Sequence, residues 1–552
     1  MDIINNINSH LGDLPNNQAE RRLFIYNAKN KVTKALQALG YYRSDITITT
    51  LENTDGPWHL NIEVMLNEPT LVKSTKFIIS GDGQTDPIFK EFIRQNIFED
   101  NKKLNHGIYE DFKISLTSLA LKYGYFDARF LESRIAIHQS YHSAEIYIHF
   151  DTGQQYHFGE INFSDVEIED ELLTQLVPFK ASEPYHIKHL REFQNQLVQT
   201  QYFDNVIITP KTNISSDGKI PIDVNLEIND KHHLEFGIGY ATDTDLRVSA
   251  GWETPLINSY GHQQKTKITY SRINPVGQFN YTIPLSHPLK DILQFELRLE
   301  DDIYGDISSK YWSARLSRIR NKTGLISEYY LRYLQEDWSR DGDKYATTYF
   351  IPGITWSKVT RGGSPVNPSK GFSQYYNLEI SHTAIEADIN LARFHAKWKY
   401  ITNINEKHRF VARAEFGILE PDSAGLSKLS PSLRFFTGGD QSIRGFAYHS
   451  IGSRVSSDKD ISDGQKNQLV VGGSRLSVGS FEYQYQFAEK WRAVLFVDAG
   501  DAYTKNNMKL KYSIGPGIHY LSPIGAIRLD LGYSLSKDNP SWRIHFNLGA
   551  EL

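Results

Sequence analysis

Two patterns of apolar spacing divide the chain. Up to about residue 230, stretches with apolar residues three and four apart alternate with short period-two segments. The helical stretches are Ile25, Ala28, Val32, Ala35, Leu39; then Phe112, Leu116, Leu119, Tyr123; then Leu190, Phe193, Leu197. Each runs into a similar element: Gly40-Tyr41-Tyr42-Arg43-Ser44-Asp45-Ile46, Gly124-Tyr125-Phe126-Asp127-Ala128-Arg129-Phe130, and more loosely Gln201-Tyr202-Phe203-Asp204-Asn205-Val206-Ile207. The copies lie 84 and 77 residues apart, which marks a tandem repeat. Gly40 and Gly124 are expected to end their helices in the left-handed conformation. Leu60–Val64 and Ile146–Phe150 read as strands after the helices, and Lys76–Ser80 and Gly159–Phe163 as strands before the second and third pairs.

The expectation is three α+β modules of β-α-α-β-β order, over residues 1–71, 72–151 and 152–230. The first has no room for a complete leading strand, which leaves an unpaired sheet edge. Such edges accept extended partner segments.

From Lys231 the helical spacing vanishes and period two continues to the end, predicting an all-β domain over 231–552. Leu234, Phe236, Ile238 and Tyr240 alternate with His233, Glu235, Gly237 and Gly239. The last segment sets Trp542, Ile544, Phe546, Leu548, Ala550 and Leu552 against Arg543, His545, Asn547, Gly549 and Glu551. Turn signals such as Asn321-Lys322-Thr323-Gly324 and Asp341-Gly342-Asp343 punctuate the run. The length accommodates on the order of 16 antiparallel strands. A β-sandwich or propeller is the alternative to a transmembrane barrel. Charge and glycine opposite aromatics over so many strands favour a barrel with a polar lumen and a lipid-facing wall.

Composition narrows the function. With 60 Lys and Arg against 65 Asp and Glu, no basic excess is available to neutralise phosphates, so nucleic acid is not an expected partner. No apolar run is long enough for a transmembrane helix, but barrel strands escape that criterion. Cysteine is absent, which removes thiol chemistry and Cys-based metal sites and suits an oxidising compartment. Met1-Asp2-Ile3-Ile4-Asn5-Asn6 has no signal-peptide character, so a processed form is expected. Walker, nucleophile-elbow and zincin motifs are missing, and Asp458–Gly464 fails as a calcium loop because its Gly is one place late. No enzyme, cofactor or metal is expected.

Gly438-Gly439-Asp440-Gln441-Ser442-Ile443-Arg444-Gly445-Phe446 stands between strand-like segments. Its glycines permit a tight re-entrant path, and Arg444 offers a rigid fork for carboxylates. By itself it reads equally as a solvated loop. Downstream parity adds a receptor. If the aromatics of Phe481–Phe487 face lipid, Glu482, Gln484 and Gln486 face the lumen. By the same alternation Asp498 turns inward, as do Gly515, Gly517 and His519, with the glycines leaving room for a close backbone. Arg444 is therefore expected to reach Asp498, with Glu482 nearby.

Gly438–Phe446, Phe496–Gly500 and Gly515–Asp530 resemble, in order, the [VI]-R-G-[FY] loop, the F-x-D-x-G wall motif and the G-x-G…P-[IV]-G-x-[IR]…D strand motif of the outer-membrane insertase superfamily that contains BamA, TamA and the two-partner secretion pores. The repeats resemble its POTRA modules. Three modules, Leu433–Asp440 and the ending Gly549–Leu552 point to the TamA branch. The resemblance covers essentially the whole chain; the incomplete first module is the departure from it. It implies a loop lock of Gly438, Gly439, Ile443, Arg444, Gly445 and Phe446. The implied wall is Glu482, Phe496, Asp498, Gly500, Gly515, Gly517, Arg528 and Asp530. It also implies a Gram-negative outer-membrane barrel with periplasmic POTRA modules that assembles β-barrel and autotransporter clients. A TamB-like inner-membrane-anchored partner and contact with outer-membrane lipid come with it. The implied mechanism is lateral opening of a weak seam between first and last strands, at Phe236, Gly237, Gly239, Phe546, Leu548 and Gly549. The alternatives are a two-partner secretion pore and a port for lipid along a TamB bridge.

Overall fold

The computed structural model describes the chain apart from residues 1–2, 52–57, 97, 215–216, 242–244, 365–366, 423–425, 427, 461–465, 524, 537–539 and 550–552. Ile524, Ala550, Glu551, Leu552 and most of the rejected calcium-like loop thus lie outside the described residues. The described chain divides into two compact units: residues 1–164, 177–195 and 206–226, and residues 165–176, 196–205 and 227–552.

The first repeat contains α1 (Ile3–Leu11), α2 (Gln18–Ala38), β1 (Asp45–Leu51) and β2 (His59–Met65). The second runs β3 (Leu71–Ser80), α3 (Pro87–Asn96), α4 (His106–Lys122), β4 (Arg129–His138) and β5 (Ser143–Asp151). The third runs β6 (His157–Phe163), α5 (Asp170–Thr174), α6 (Ile187–Gln199), β7 (Phe203–Pro210) and β8 (Lys219–Ile228). The second and third sheets have the orders β3-β5-β4 and β6-β8-β7, each with its leading strand parallel to its last. In the first repeat β2 pairs only with β1 among the described residues, so the position that β3 and β6 occupy has no strand.

Local chemistry explains the repeat. Gly40 and Gly124 take φ of +85° and +84° after α2 and α4. Tyr41 N and Tyr125 N then donate back to Leu36 O and Ala120 O, each at 2.9 Å, closing the last turn. A side chain at Gly40 would bring its Cβ to 2.4 Å from Leu104 O. In the third copy Gln201 adopts φ +61° where the others have glycine. The segment after it belongs to the second unit, where buried Tyr202 donates its Oη to Gly261 O at 2.9 Å.

The remaining sequence builds one sheet of 16 antiparallel strands. It begins with β9 (His233–Ala241), β10 (Asp245–Thr254), β11 (Gln263–Ser271), β12 (Val276–His287), β13 (Asp291–Tyr304) and β14 (Ile307–Lys322). It continues with β15 (Leu325–Arg340), β16 (Asp343–Gly363), β17 (Pro368–Ser381), β18 (Leu391–Asn403) and β19 (His408–Pro421). A separate hairpin, β20 (Arg454–Asp460) with β21 (Lys466–Val470), interrupts the sequence. The wall resumes as β22 (Arg475–Ala488), β23 (Trp491–Tyr503), β24 (Lys511–Ser522), β25 (Gly525–Ser534) and β26 (Trp542–Gly549). The predicted turns form as expected: Thr323-Gly324 and Asp341-Gly342 both have positive φ at their two central residues, the geometry that matches strand twist.

The outward row is apolar and exposed, as at Phe236, Ile238 and Leu495, while Asp498 is fully buried. No helix among the described residues is long and apolar enough to cross a membrane, a criterion that does not bear on β-strands. The inner face corrects one expectation. Period-two reading makes the lumen polar throughout, yet Leu334, Tyr349, Ile351, Leu391, Leu419 and Leu476 form a buried apolar cluster with Leu429, Leu433 and Phe435 of the loop after β19. The inserted loop supplies a dry partner for inward side chains that would otherwise face water.

The strand order ends at β26 and β9, and no ladder joins those two among the described residues. The Tyr240 and Phe546 rings meet there at 6.3 Å between centroids. Phe236 and Leu548 point outward and are exposed. A Cβ at Gly237 would approach Ser249 Oγ at 2.7 Å, whereas Gly239 faces open space, so crowding does not account for it. Gly549 still pairs with Ala526.

Candidate functional site

Between β19 and β20 the chain turns into the lumen. Gly438 and Gly439 both have φ of +105°, and a Cβ at Gly438 would lie 2.3 Å from Ala447 O, so glycine is required for this path. Ile443 and Phe446 bury with Ile451 into a small apolar anchor. Arg444 between them is 1% exposed.

Its receptor is set by ladder register. Ser480 pairs with Asp498, Asp498 with Ser513, and Ser513 with Ser534, giving one rung across β22 to β25. Glu482 pairs with Phe496, and Phe496 with Gly515, giving the next. Gly517, Asp530 and His545 form a third across β24 to β26. Alternation aims all of these into the lumen.

Every N–H of the Arg444 guanidinium finds an acceptor. Nε and Nη2 clamp Asp498 Oδ2 and Oδ1 at 3.1 and 2.9 Å. Nη1 donates to Glu482 Oε2 at 2.7 Å and to Asp530 Oδ2 at 3.1 Å, and Nη2 also reaches Ser480 Oγ at 3.4 Å. The cation sits 3.3 Å from the centroid of the Phe496 ring. Burial works against the charge, but the Asp498, Glu482 and Asp530 carboxylates outweigh it, and the guanidinium holds its proton more tightly than usual.

The carboxylates are satisfied in turn. Asp498 also accepts from Arg444 N at 3.0 Å, Ser480 Oγ at 2.7 Å and Ser513 Oγ at 3.1 Å. Asp530 Oδ1 meets His519 Nε2 at 3.0 Å, and Glu482 Oε1 accepts from Gln484 Nε2 at 2.6 Å. Removing one member of such a desolvated network costs about 3–5 kcal/mol, because the others stay buried without a partner.

Absent side chains shape the seat. A Cβ at Gly532 would lie 2.5 Å from Arg444 O, one at Gly445 would lie 2.8 Å from Ser513 Cβ, and one at Gly515 would lie 2.7 Å from Phe496 Cζ. Glycine on both sides lets loop and wall backbones touch.

A family model for the Omp85 superfamily domain matches residues 221–552. The chain belongs to the Omp85 superfamily. A model for the POTRA domain TamA domain 1 matches residues 2–66, and one described as surface antigen variable number repeat, of POTRA type, matches 156–231. The outer membrane protein assembly factor BamA of Neisseria meningitidis is 20% identical over 97% of this chain and 73% of its own length. The solved structure of Haemophilus ducreyi BamA lacking POTRA domains 1–3 matches with a TM-score of 0.70 at 15% identity, covering 87% of this chain and 99% of that one. CdiB from Acinetobacter baumannii aligns at a TM-score of 0.46 and 13% identity, over 97% of this chain and all of that one. Membership makes the chain an outer-membrane β-barrel protein of the insertase and secretion-factor type, a family that handles unfolded outer-membrane clients.

Within this Omp85 barrel the structure brings Arg444, Glu482, Phe496, Asp498, Gly515 and Asp530 together. Glu482 binds Arg444 directly rather than lying nearby. A Cβ at Gly517 would lie only 2.1 Å from Asp530 Oδ1, so glycine there makes room for the carboxylate that Arg444 binds. Gly500 packs on the backbone of Ser477 and Val478, away from the guanidinium. Arg528 lines the small cavity beside the lock. Sequence reading missed Gly532 and His545 as members, although parity from Asp530 and Asn547 would have placed both inward.

It also missed a second fastening of the same loop. Glu336 of β15, fully buried, accepts from Ser309 Oγ at 2.6 Å and Ser432 N at 3.1 Å, and binds Ser432 Oγ closely. Arg434 donates Nε to Leu429 O and Nη1 to Val471 O, at 2.8 and 2.9 Å, with Trp338 5.1 Å from its cation. The loop is thus tied to β15 through Ser432 and to β22, β23 and β25 through Arg444. It is a strut across the lumen. The chemistry it performs is mechanical: it fixes wall to wall.

Proposed function

We propose that the chain is a TamA-type assembly factor that inserts autotransporter-class and other β-barrel clients by opening the β9–β26 seam, with a TamB-like partner engaging its first POTRA module. It works without catalysing a covalent reaction, and its modules lie in the periplasm. The observation that carries this reading is the interrupted ladder: every other neighbouring pair of the sheet has a register, while β26 and β9 share none among the described residues. A strand edge without a ladder partner is a template for an incoming strand. The match of residues 2–66 to the TamA-type first POTRA domain supports the branch, and the edge of β2 that carries no ladder among the described residues supports the partner role.

The apolar cluster in the lumen speaks against export through the pore, since Leu433 and Phe435 of the loop pack into it against the wall. Paired cysteines between residues 234–240 and 542–548 test the seam free of background, because the sequence has no cysteine. Disulfide locking should abolish client assembly, and reduction should restore it. Full assembly by a quantitatively locked barrel would overturn the reading, and a change confined to phospholipid distribution would favour a lipid port.

A further inference from the structure

Among the described residues the last strand has a ladder neighbour on one side only, β25, over Trp542 to Gly549. Yet it does not depend on that ladder alone. His545, 2% exposed, places Nε2 2.6 Å from the Arg444 carbonyl. A carbonyl oxygen only accepts, so Nε2 carries the hydrogen and donates. Two residues on, on the same inward face, Asn547 Nδ2 donates to Asp440 Oδ2 at 2.6 Å. Inward positions of one strand stand about 6.6 Å apart, and the loop turn between Asp440 and Arg444 presents its two acceptors to match. Gly532 makes the approach possible: with no Cβ, β25 lets the Arg444 carbonyl lie against its backbone, within reach of the next strand.

We propose that His545 and Asn547 are positioning residues that brace the last-strand lip of the seam to the lumen loop, so that the Arg444 lock sets where that lip stands. The role in client assembly rests on the seam reading above; the brace itself does not. The two lips are unlike. Opposite β26, the first strand offers Gly237 and Gly239 at two of its inward positions, with no side chain there to reach the loop, beside His233 and Glu235 nearer its start. The lock and the seam form one device, in which releasing Arg444 frees the edge of the sheet two strands beyond Asp498's nearest partner on β24.

Hydrogen–deuterium exchange on the full-length barrel in lipid nanodiscs tests the brace. His545→Phe leaves a buried acceptor unpaired, so it should speed exchange of the β26 amides roughly ten-fold. Peptides of β22 and β23 should stay unchanged, whereas simple destabilisation would accelerate both. His545→Gln, which keeps an N–H donor, should restore most of the protection. Asn547→Leu provides an independent variant should the histidine change impair folding, and should act in the same place. Unchanged β26 exchange in both His545→Phe and Asn547→Leu would overturn the brace, and so would uniform acceleration. Client assembly measured alongside separates the two readings. Faster β26 exchange with unaltered assembly upholds the brace and counts against the seam as the route. Unaltered exchange with disulfide-blocked assembly does the reverse.

Discussion

Arg444 grips Asp498 three times, with its backbone N–H, Nε and Nη2 all within 3.1 Å of the two carboxylate oxygens. Backbone and side chain of one residue thus converge on one buried anion. The contact fixes the loop's path as well as its charge, because moving the backbone would break the same pairing that the side chain makes.

Arg444→Ala should therefore loosen the loop by about 3–5 kcal/mol, leaving Asp498, Glu482 and Asp530 buried together without their cation. Arg444→Lys, with three donors in place of five, should recover only part of this. Arg454→Ala, outside the lock, serves as control. Limited proteolysis of the loop and client assembly are the measurements, and wild-type behaviour of Arg444→Ala would remove the lock from the mechanism.

Gly532→Ala should destabilise by about 1–3 kcal/mol through overpacking against the Arg444 carbonyl. Gly239→Ala should have little effect, since nothing lies within 4 Å of its Cβ position. Thermal unfolding of the two variants, read by loss of heat-modifiable migration, compares them directly.

Leu433→Ala combined with Phe435→Ala should open the lumen to ions, because both side chains belong to the apolar cluster that packs the loop against the wall inside it. Planar-bilayer conductance should rise well above that of the wild type while Arg444 keeps its contacts. Equal conductance would place the permeability barrier elsewhere.

In the modules, Gly124→Ala should be costly: φ is +84° there and a Cβ would sit 2.8 Å from Tyr185 Cβ. Gln201→Gly should be neutral or stabilising, because a non-glycine left-handed residue costs about 1–2 kcal/mol that glycine avoids. Denaturant unfolding of the full chain, followed by exchange in the 106–130 segment for Gly124 and the 190–230 segment for Gln201, reads both.

The sequence by itself determined what is periodic and local. Helix spacing with Gly at the C-terminus predicted α2 and α4 and their left-handed ends, since a helix stop depends on the few residues that form it. Strict alternation predicted a sheet of about 16 strands and aimed Glu482 and Asp498 inward, since side-chain direction in a strand follows from parity alone. Neither property says which strands are neighbours at which height. Asp530 and His545 join the lock because registers across β24, β25 and β26 bring them to one rung, with His519 reaching Asp530 from the next, and Gly532 seats the loop because a backbone from 88 residues earlier in the chain arrives there. Glu336 meets Ser432 across 96 residues, which no spacing could announce. The apolar plug was hidden for the same reason: Leu334 and Leu419 look like lumen positions until a loop inserted between β19 and β22 gives them a dry surface to pack against. Those outcomes belong to sheet closure and loop insertion, which are non-local, and only the folded barrel fixes them.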